Sequence, residues 1–352
     1  MSKKPISKNI IYIIIAAIII SIIAILYPRE KKEWRYSDIV VSPDVNSKVA
    51  IGAPLMIKLN EEKLSDVDSV IVRYPGNKAD AKSNFGYTIN TSGLPLGNHT
   101  AEITVHDGKK SKTVSLPFVI TSDINPTSAN FNKLSQIAHD KKSYTQGLEF
   151  ANGVLYESTG QYNESTIKKV NHKTGQNIKS IPLAPEYFGE GLTILNNKVY
   201  QITWKESTCF VYDEQLNLLK KAGFRTITGE GWGLTNDGTS LIVSDGSNKL
   251  TYVHPETFAV EKIISVFAGP NEVQYLNELE YVDGFIYANI YTTNQIAKLE
   301  AKSGKVIAVY DLSALKNENQ DGEVLNGIAY NPASKTFFIT GKYWGKMYEV
   351  KL

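Results

Sequence analysis

The feature that most constrains this chain is an internal repeat. From about residue 129 to Leu352, one pattern recurs five times: a short motif ending in an apolar anchor, a turn, and a second apolar strand. The motifs are Gln146-Gly-Leu148, Glu190-Gly-Leu192, Trp232-Gly-Leu234, Asn277-Glu-Leu279 and Asn326-Gly-Ile328. The second strands fall at 154–158, 198–202, 241–244, 285–289 and 337–340. The anchors at 148, 192, 234, 279 and 328 are 44, 42, 45 and 49 residues apart. A several-stranded repeat of about 40 to 50 residues is the period of a β-propeller blade, a unit that buries its faces only against its neighbours. Five repeats predict five blades over 129–352, with residues 131–138 pairing with the C-terminal segment to close the ring. A sandwich of this size does not repeat at a fixed period.

Two segments precede the repeats. Residues 10–27 form an 18-residue run, Ile10 to Tyr27, whose only strongly polar member is Ser21. As a helix it spans about 27 Å, close to the hydrocarbon thickness of a bilayer. Its end at Ile25-Leu26-Tyr27-Pro28 is a poor cleavage site, and no cysteine follows to take a lipid. We expect an uncleaved signal anchor over 10–27 behind a short tail, 1–9. Lys3, Lys4 and Lys8 before the run nearly balance Arg29, Lys31, Lys32 and Arg35 after it. The short tail and the large C-terminal mass favour the tail inside and the domains outside the cytoplasm. Residues 37–122 read as strands and turns without a helical period. Pro75-Gly76 and Asp107-Gly108 are turn signals between apolar runs, which predicts a small immunoglobulin-like β-sandwich, a spacer or interaction module.

Composition bounds the chemistry. The formal net charge is +2, from 38 Lys+Arg against 36 Asp+Glu, so no basic field argues for nucleic acid. There is one cysteine, Cys209, and the five histidines show no paired ligand spacing, so no His/Cys metal site is expected. Cys209 stands beside Phe210 and Val211 in an apolar strand and reads as a core residue.

Propeller symmetry turns a column of aligned residues into a ring. Two residues before each anchor the column reads Gln146, Glu190, Trp232, Asn277 and Asn326. Five residues after Leu155, Val199, Leu241, Ile286 and Phe337 it reads Gly160, Trp204, Gly246, Tyr291 and Lys342. Polar residues line propeller channels without any function. However, one carboxylate among amides and aromatics, with a lysine in the companion ring, has the composition of a pocket for a small polar substrate. Glu157, Glu230 and Glu278 are rival carboxylates off the column.

The motifs carry a resemblance. Tyr144-Thr-Gln-Gly-Leu148, Tyr156-Glu-Ser-Thr-Gly160, Phe188-Gly-Glu-Gly-Leu-Thr193, Thr203-Trp-Lys205, Gly231-Trp-Gly-Leu-Thr235, Ser244-Asp-Gly-Ser247, Leu276-Asn-Glu-Leu-Glu280 and Val324-Leu-Asn-Gly-Ile-Ala329 together resemble the glutamine cyclotransferase family, the plant-type and bacterial glutaminyl cyclases. The resemblance covers about 225 residues and all five repeats. It implies a five-bladed propeller that converts the N-terminal glutamine of a peptide or protein to pyroglutamate with release of ammonia, an acyltransfer without cofactor or catalytic metal. Matched motif by motif, the family's catalytic glutamate falls on Glu190, its glutamine on Gln146, its asparagine on Asn277 and its lysine on Lys342. Its pocket tryptophans fall on Trp204 and Trp232, and a third falls on Tyr291, a departure that leaves an aromatic wall and adds a hydroxyl. Richness in Ile, Lys and Asn points to an AT-rich bacterial genome.

The expected mechanism follows. The α-amine attacks the side-chain amide carbon of its own residue, so the enzyme holds a curled conformer and moves protons. Glu190 is the expected shuttle, base and then acid, with Lys342, Asn277 and Gln146 stabilising charge on the amide oxygen and Asn326 completing the substrate ring. Two other classes compete. A metal-dependent lactonase needs several converging acidic ligands, where the columns offer one. A non-catalytic propeller binding peptides or glycans at the cell envelope is the alternative.

Overall fold

A computed structural model describes residues 34–108 and 110–352. The expected anchor at 10–27 lies outside the described residues. Among those described, no helix is long and apolar enough to cross a membrane. The contacts divide the chain into two units. One holds residues up to 44 with 56–87 and 101–116; the other holds 45–55, 88–100 and 117–352. Strands expected to form one sandwich over 37–122 are therefore shared between the units rather than divided off in sequence.

Residues 36–121 build two sheets. One orders Val40–Ser42, Leu55–Leu59 and Gly86–Ile89; the other orders Ser47–Ala50, Lys110–Thr121, Gly97–Asp107, Ser69–Tyr74 and Asn77–Asp80. Period-2 alternation sets the faces. Leu55, Ile57 and Leu59 are buried while Met56 and Lys58 are exposed, and Gly97–Asp107 buries Ala101, Ile103 and Val105. The Pro75-Gly76 turn, with Gly76 at φ 80°, folds Ser69–Tyr74 back onto Asn77–Asp80. Two helices, Tyr36–Ile39 and Glu61–Leu64, were not expected, because four residues are too few to show a helical period. The second is capped by Asn60, whose side chain accepts the Lys63 N–H at 3.2 Å.

The region from Thr127 onward holds five antiparallel sheets of four consecutive strands or their equivalent. The first is Thr145–Ala151, Val154–Thr159, Thr166–Val170 and Asn177–Pro182. The second is Gly189–Leu195, Lys198–Thr203, Thr208–Asp213 and Leu218–Gly223, and the third Leu234–Asn236, Leu241–Ser244, Lys249–Val253 and Val260–Ser265. The fourth is Leu276–Val282, Phe285–Ile290, Gln295–Glu300 and Val306–Asp311, extended by parallel pairing with Thr127–Ala129. The fifth is Leu325–Asn331, Thr336–Gly341 and Lys346–Lys351, and its outer strand is Asn132–Ala138 from the start of the region.

The cores lie between sheets, which is why the repeat cannot stand alone. All five anchors are buried. Leu192 packs with Tyr156 and Ile167 of the first sheet, Leu234 with Tyr200 and Val211 of the second, and Leu279 with Ile242 and Leu250 of the third. Ile328 packs with Tyr287 and Ile296 of the fourth, and Leu148 packs with Phe338 and Met347 of the fifth, so the order is cyclic. The first strands also meet in that order around an axis. On that side they have no ladder partner, and side chains of other first strands satisfy their N–H groups instead. Glu278 accepts the Leu148 and Ile328 N–H groups at 3.1 and 2.9 Å, Glu280 accepts that of Tyr330 at 2.8 Å, and Thr235 Oγ1 accepts that of Tyr281 at 3.0 Å.

Candidate active site

The Gly of each of the first three motifs, Gly147, Gly191 and Gly233, lets one first strand approach the next. A Cβ at Gly191 would stand 2.3 Å from the Leu234 nitrogen, and one at Gly233 would stand 1.9 Å from the Asn277 carbonyl oxygen. With the strands this close, the residues just before those glycines converge. A cavity of about 240 Å³ opens among them. Seven of the eight expected residues line it: Gln146, Glu190, Trp204, Trp232, Asn277, Tyr291 and Lys342.

Asn326, the eighth, does not. It is fully buried behind Gln146, where its Nδ2 donates to the Thr145 carbonyl at 2.9 Å and to Gln146 Oε1 at 3.2 Å. Gln146 Nε2 in turn donates to Glu190 Oε1 at 2.8 Å. Asn326 thus orients Gln146, which points its amide nitrogen at the carboxyl. The ring position is symmetric, but the fifth first strand turns this side chain to the Thr145 carbonyl and Gln146.

Tyr144, Gln161 and Phe188 also line the cavity and were not anticipated. Tyr144 and Phe188 stand two residues before Gln146 and Glu190, each just ahead of its first strand, and that repeated position was the available signal. Gln161 sits in a turn at φ 92° and has no periodic signal. The aromatic wall has two parts. Phe188 meets Trp204 at 5.6 Å and Tyr144 at 6.1 Å, and Trp232 meets Tyr291 edge-on at 5.5 Å between centroids. Gly246 leaves room for this, since a Cβ there would lie 2.7 Å from the Trp232 ring. The rival carboxylates are engaged elsewhere. Glu157 is buried against His139 at 3.0 Å, Glu278 caps two strands, and Glu230 bonds two indoles.

The electrostatics are those of a nearly dry site. Glu190 is 5% exposed. Burial pushes its carboxyl well above the usual range; the Lys342 charge opposes this, while Glu230 and Glu206 add to it. Burial lowers Lys342 to about 8, against the opposing pull of Glu190 and Glu323. Its Nζ lies 4.5 Å from the Tyr144 ring centre and 4.9 Å from that of Tyr291, so aromatic faces replace part of its hydration. Asn277 lines the cavity, and its Oδ1 is buried with no hydrogen-bond partner among the described residues. Cys209 is buried in its strand, and burial pushes its thiol up, as befits a core residue. No group of three or more His, Cys, Asp or Glu among the described residues is placed to hold a metal ion.

Known proteins are similar to this chain over the region that holds the cavity. A family model described as glutamine cyclotransferase matches residues 102–352. A glutaminyl-peptide cyclotransferase of Arabidopsis thaliana is 38% identical over 225 residues, which is 62% of this chain and 70% of that one. The crystal structure of Myxococcus xanthus glutaminyl cyclase superposes with a TM-score of 0.60 at 31% identity, covering 64% of this chain and 98% of that one. The match spans the repeats, the cavity and the residues that line it, and on that ground the chain belongs to the glutamine cyclotransferase family.

Proposed function

We propose that this chain is a glutaminyl-peptide cyclotransferase, converting the N-terminal glutamine of peptides and proteins to pyroglutamate and ammonia. The observation that carries the reading is Glu190, a single buried carboxyl in an aromatic-walled cavity, held by Gln146 and electrostatically coupled to Lys342. The cyclic packing of five sheets supports a five-bladed propeller as its scaffold. The two sheets of residues 36–121 support an immunoglobulin-like module before it. The run at 10–27 supports a membrane anchor that displays the enzyme outside the cytoplasm of a bacterial cell, with Gln-initiated peptides as partners.

In the mechanism we infer, the substrate's α-nitrogen attacks Cδ of the same residue. The new C–N bond closes the five-membered ring and the Cδ–Nε bond breaks. An α-amine has an ordinary pKa of about 7.7–8.0. It therefore arrives mostly as an ammonium, whose charge in this dry cavity favours the Glu190 carboxylate. Glu190 first takes the ammonium proton, which passes to solvent and leaves the free amine to attack; it then takes a second proton from the attacking nitrogen and delivers it to the departing nitrogen, which leaves as ammonia. Lys342 faces the charge that develops on the amide oxygen. The unpartnered Asn277 Oδ1 accepts from the carboxamide NH₂ and so fixes which face of Cδ the amine meets. Trp204, Trp232 and Tyr291 enclose the methylene stem and favour its curled form.

All these steps use protein groups. Ammonia release from a Gln-initiated dipeptide by the fragment starting near residue 36 is thus expected to survive EDTA, with a peptide mass loss of one ammonia. No release at all would sink the reading in favour of a peptide- or glycan-binding propeller.

A further inference from the structure

Glu230 occupies the column two residues before the polar ring, where the first and second sheets carry Tyr144 and Phe188. Those aromatics line the cavity and Glu230 does not. Its carboxylate sits behind the wall. One oxygen, Oε2, accepts the Nε1–H of Trp204 at 2.8 Å and that of Trp232 at 2.9 Å. An indole has one donor and no acceptor, so each ring has a single polar anchor. Here both anchors end on the same charged atom, and charge-assisted bonds of this kind are the strong ones.

The support is itself braced. The Glu230 N–H donates to Thr228 Oγ1 at 3.2 Å, and its carbonyl accepts from Thr226 Oγ1 at 2.7 Å. Thr228 is tied to Asp245 by two bonds of 3.1 Å. Lys205 Nζ lies 3.9 Å from the other oxygen and 3.8 Å from the Trp204 ring centre. A loop held this way fixes the angle between two walls that come from different sheets.

We propose that Glu230 is a positioning residue of the cyclisation: through one oxygen it clamps the indoles of Trp204 and Trp232 at the angle that curls the glutamine stem. The proposal rests on Glu190 being the proton shuttle. The charged groups that act on Glu190 are Lys342, Glu230 and Glu206, so removing the Glu230 charge alters a known set.

Two variants of the full chain separate clamp from charge. Glu230→Asp keeps the charge but is one methylene too short to reach both indoles. It is expected to lower kcat/KM on a Gln-initiated dipeptide on the order of 10²-fold, mostly in kcat, since a misplaced wall depopulates the reactive geometry. The same change shifts tryptophan emission while the acid limb of the pH profile stays in place. Glu230→Gln keeps the shape and loses the charge. It is expected to move the acid limb to lower pH with a smaller loss of kcat. The proposal is overturned if both variants keep wild-type kcat, emission and pH profile. It is also overturned if activity falls only in step with a lowered melting temperature. Glu190→Gln serves as the control: if that variant turns over normally, the shuttle reading has failed, whereas a dead Glu190→Gln beside unchanged Glu230 variants sinks only this proposal.

Discussion

At the scale of the residue, the site is governed by what burial does to two opposite charges. Glu190 is raised by its dry surroundings and Lys342 is lowered to about 8, so the two groups approach each other in acidity. The shuttle needs Glu190 able to accept a proton, and the amide oxygen needs Lys342 protonated. Activity therefore falls as pH drops through the raised Glu190 value, and falls again as pH rises past about 8, where Lys342 loses its charge. A bell-shaped kcat/KM profile checks this, with the acid limb well above the ordinary carboxylate range. Glu190→Gln is expected to remove turnover with the fold intact by circular dichroism, a loss on the order of 10²–10⁴-fold or more for a general acid–base residue. Near-normal rates in that variant would show the shuttle to be elsewhere. Burial of Glu190 was not legible in the sequence. Its isolation as the one carboxylate in its ring was, because alternation and a fixed repeat put aligned residues at equivalent places.

At the scale of the element, the segment after strand Asn132–Ala138 crosses from the fifth sheet to the first over a buried charge network. His139 Nδ1 donates to the Trp344 carbonyl at 2.8 Å and Nε2 to Glu157 Oε1 at 3.0 Å. Thr145 Oγ1 donates to the same carboxylate at 2.7 Å. Lys168 Nζ donates to Ser143 Oγ at 2.7 Å and Asp140 Oδ2 at 3.2 Å. Both ring nitrogens thus face acceptors, which favours the imidazolium. Burial alone lowers the His139 pKa, but the Glu157 charge and hydrogen bond and the Trp344 carbonyl outweigh burial and the Lys168 charge, and raise it. A raised folded-state pKa means the stabilisation is fully present below the unfolded value of about 6.5 and is lost as pH rises through the folded one. His139→Gln is expected to cost about 3–5 kcal/mol, because it leaves a buried carboxylate without its charged partner. It should also flatten the dependence of the melting temperature on pH between neutral and alkaline conditions. A variant whose melting curve tracks the wild type at every pH would contradict this. The sequence reading ranked Glu157 as a rival catalytic carboxylate; only the approach of His139, 18 residues away, reveals its structural use.

At the scale of the whole molecule, the cyclic order of the cores makes closure the decisive act. The fifth sheet takes its outer strand from Asn132–Ala138, paired from Asn132↔Lys351 to Ala138↔Lys346. Deleting residues 127–138 removes that strand and the parallel strand on the fourth sheet. The deletion is expected to abolish cooperative melting of the region from Thr127 onward, since an open ring exposes a sheet edge. A cooperative transition at the wild-type temperature would refute the closure argument. The sequence by itself determined the strand-rich repeat, the closing segment and the ring that holds Glu190. Those properties follow from local periodicity and from spacing along the chain. Tertiary structure alone decided that Asn326 stands behind Gln146, that Tyr144, Gln161 and Phe188 complete the wall, and that Glu230 joins two indoles. It also decided that Glu278 and Glu280 cap neighbouring strands. Each of these depends on which side chain meets which group across an axis, between residues far apart in the chain, as Asn326 and Thr145 are at 181 positions. A repeat fixes equivalent positions, whereas the partner at each position is set by close packing of unlike neighbours.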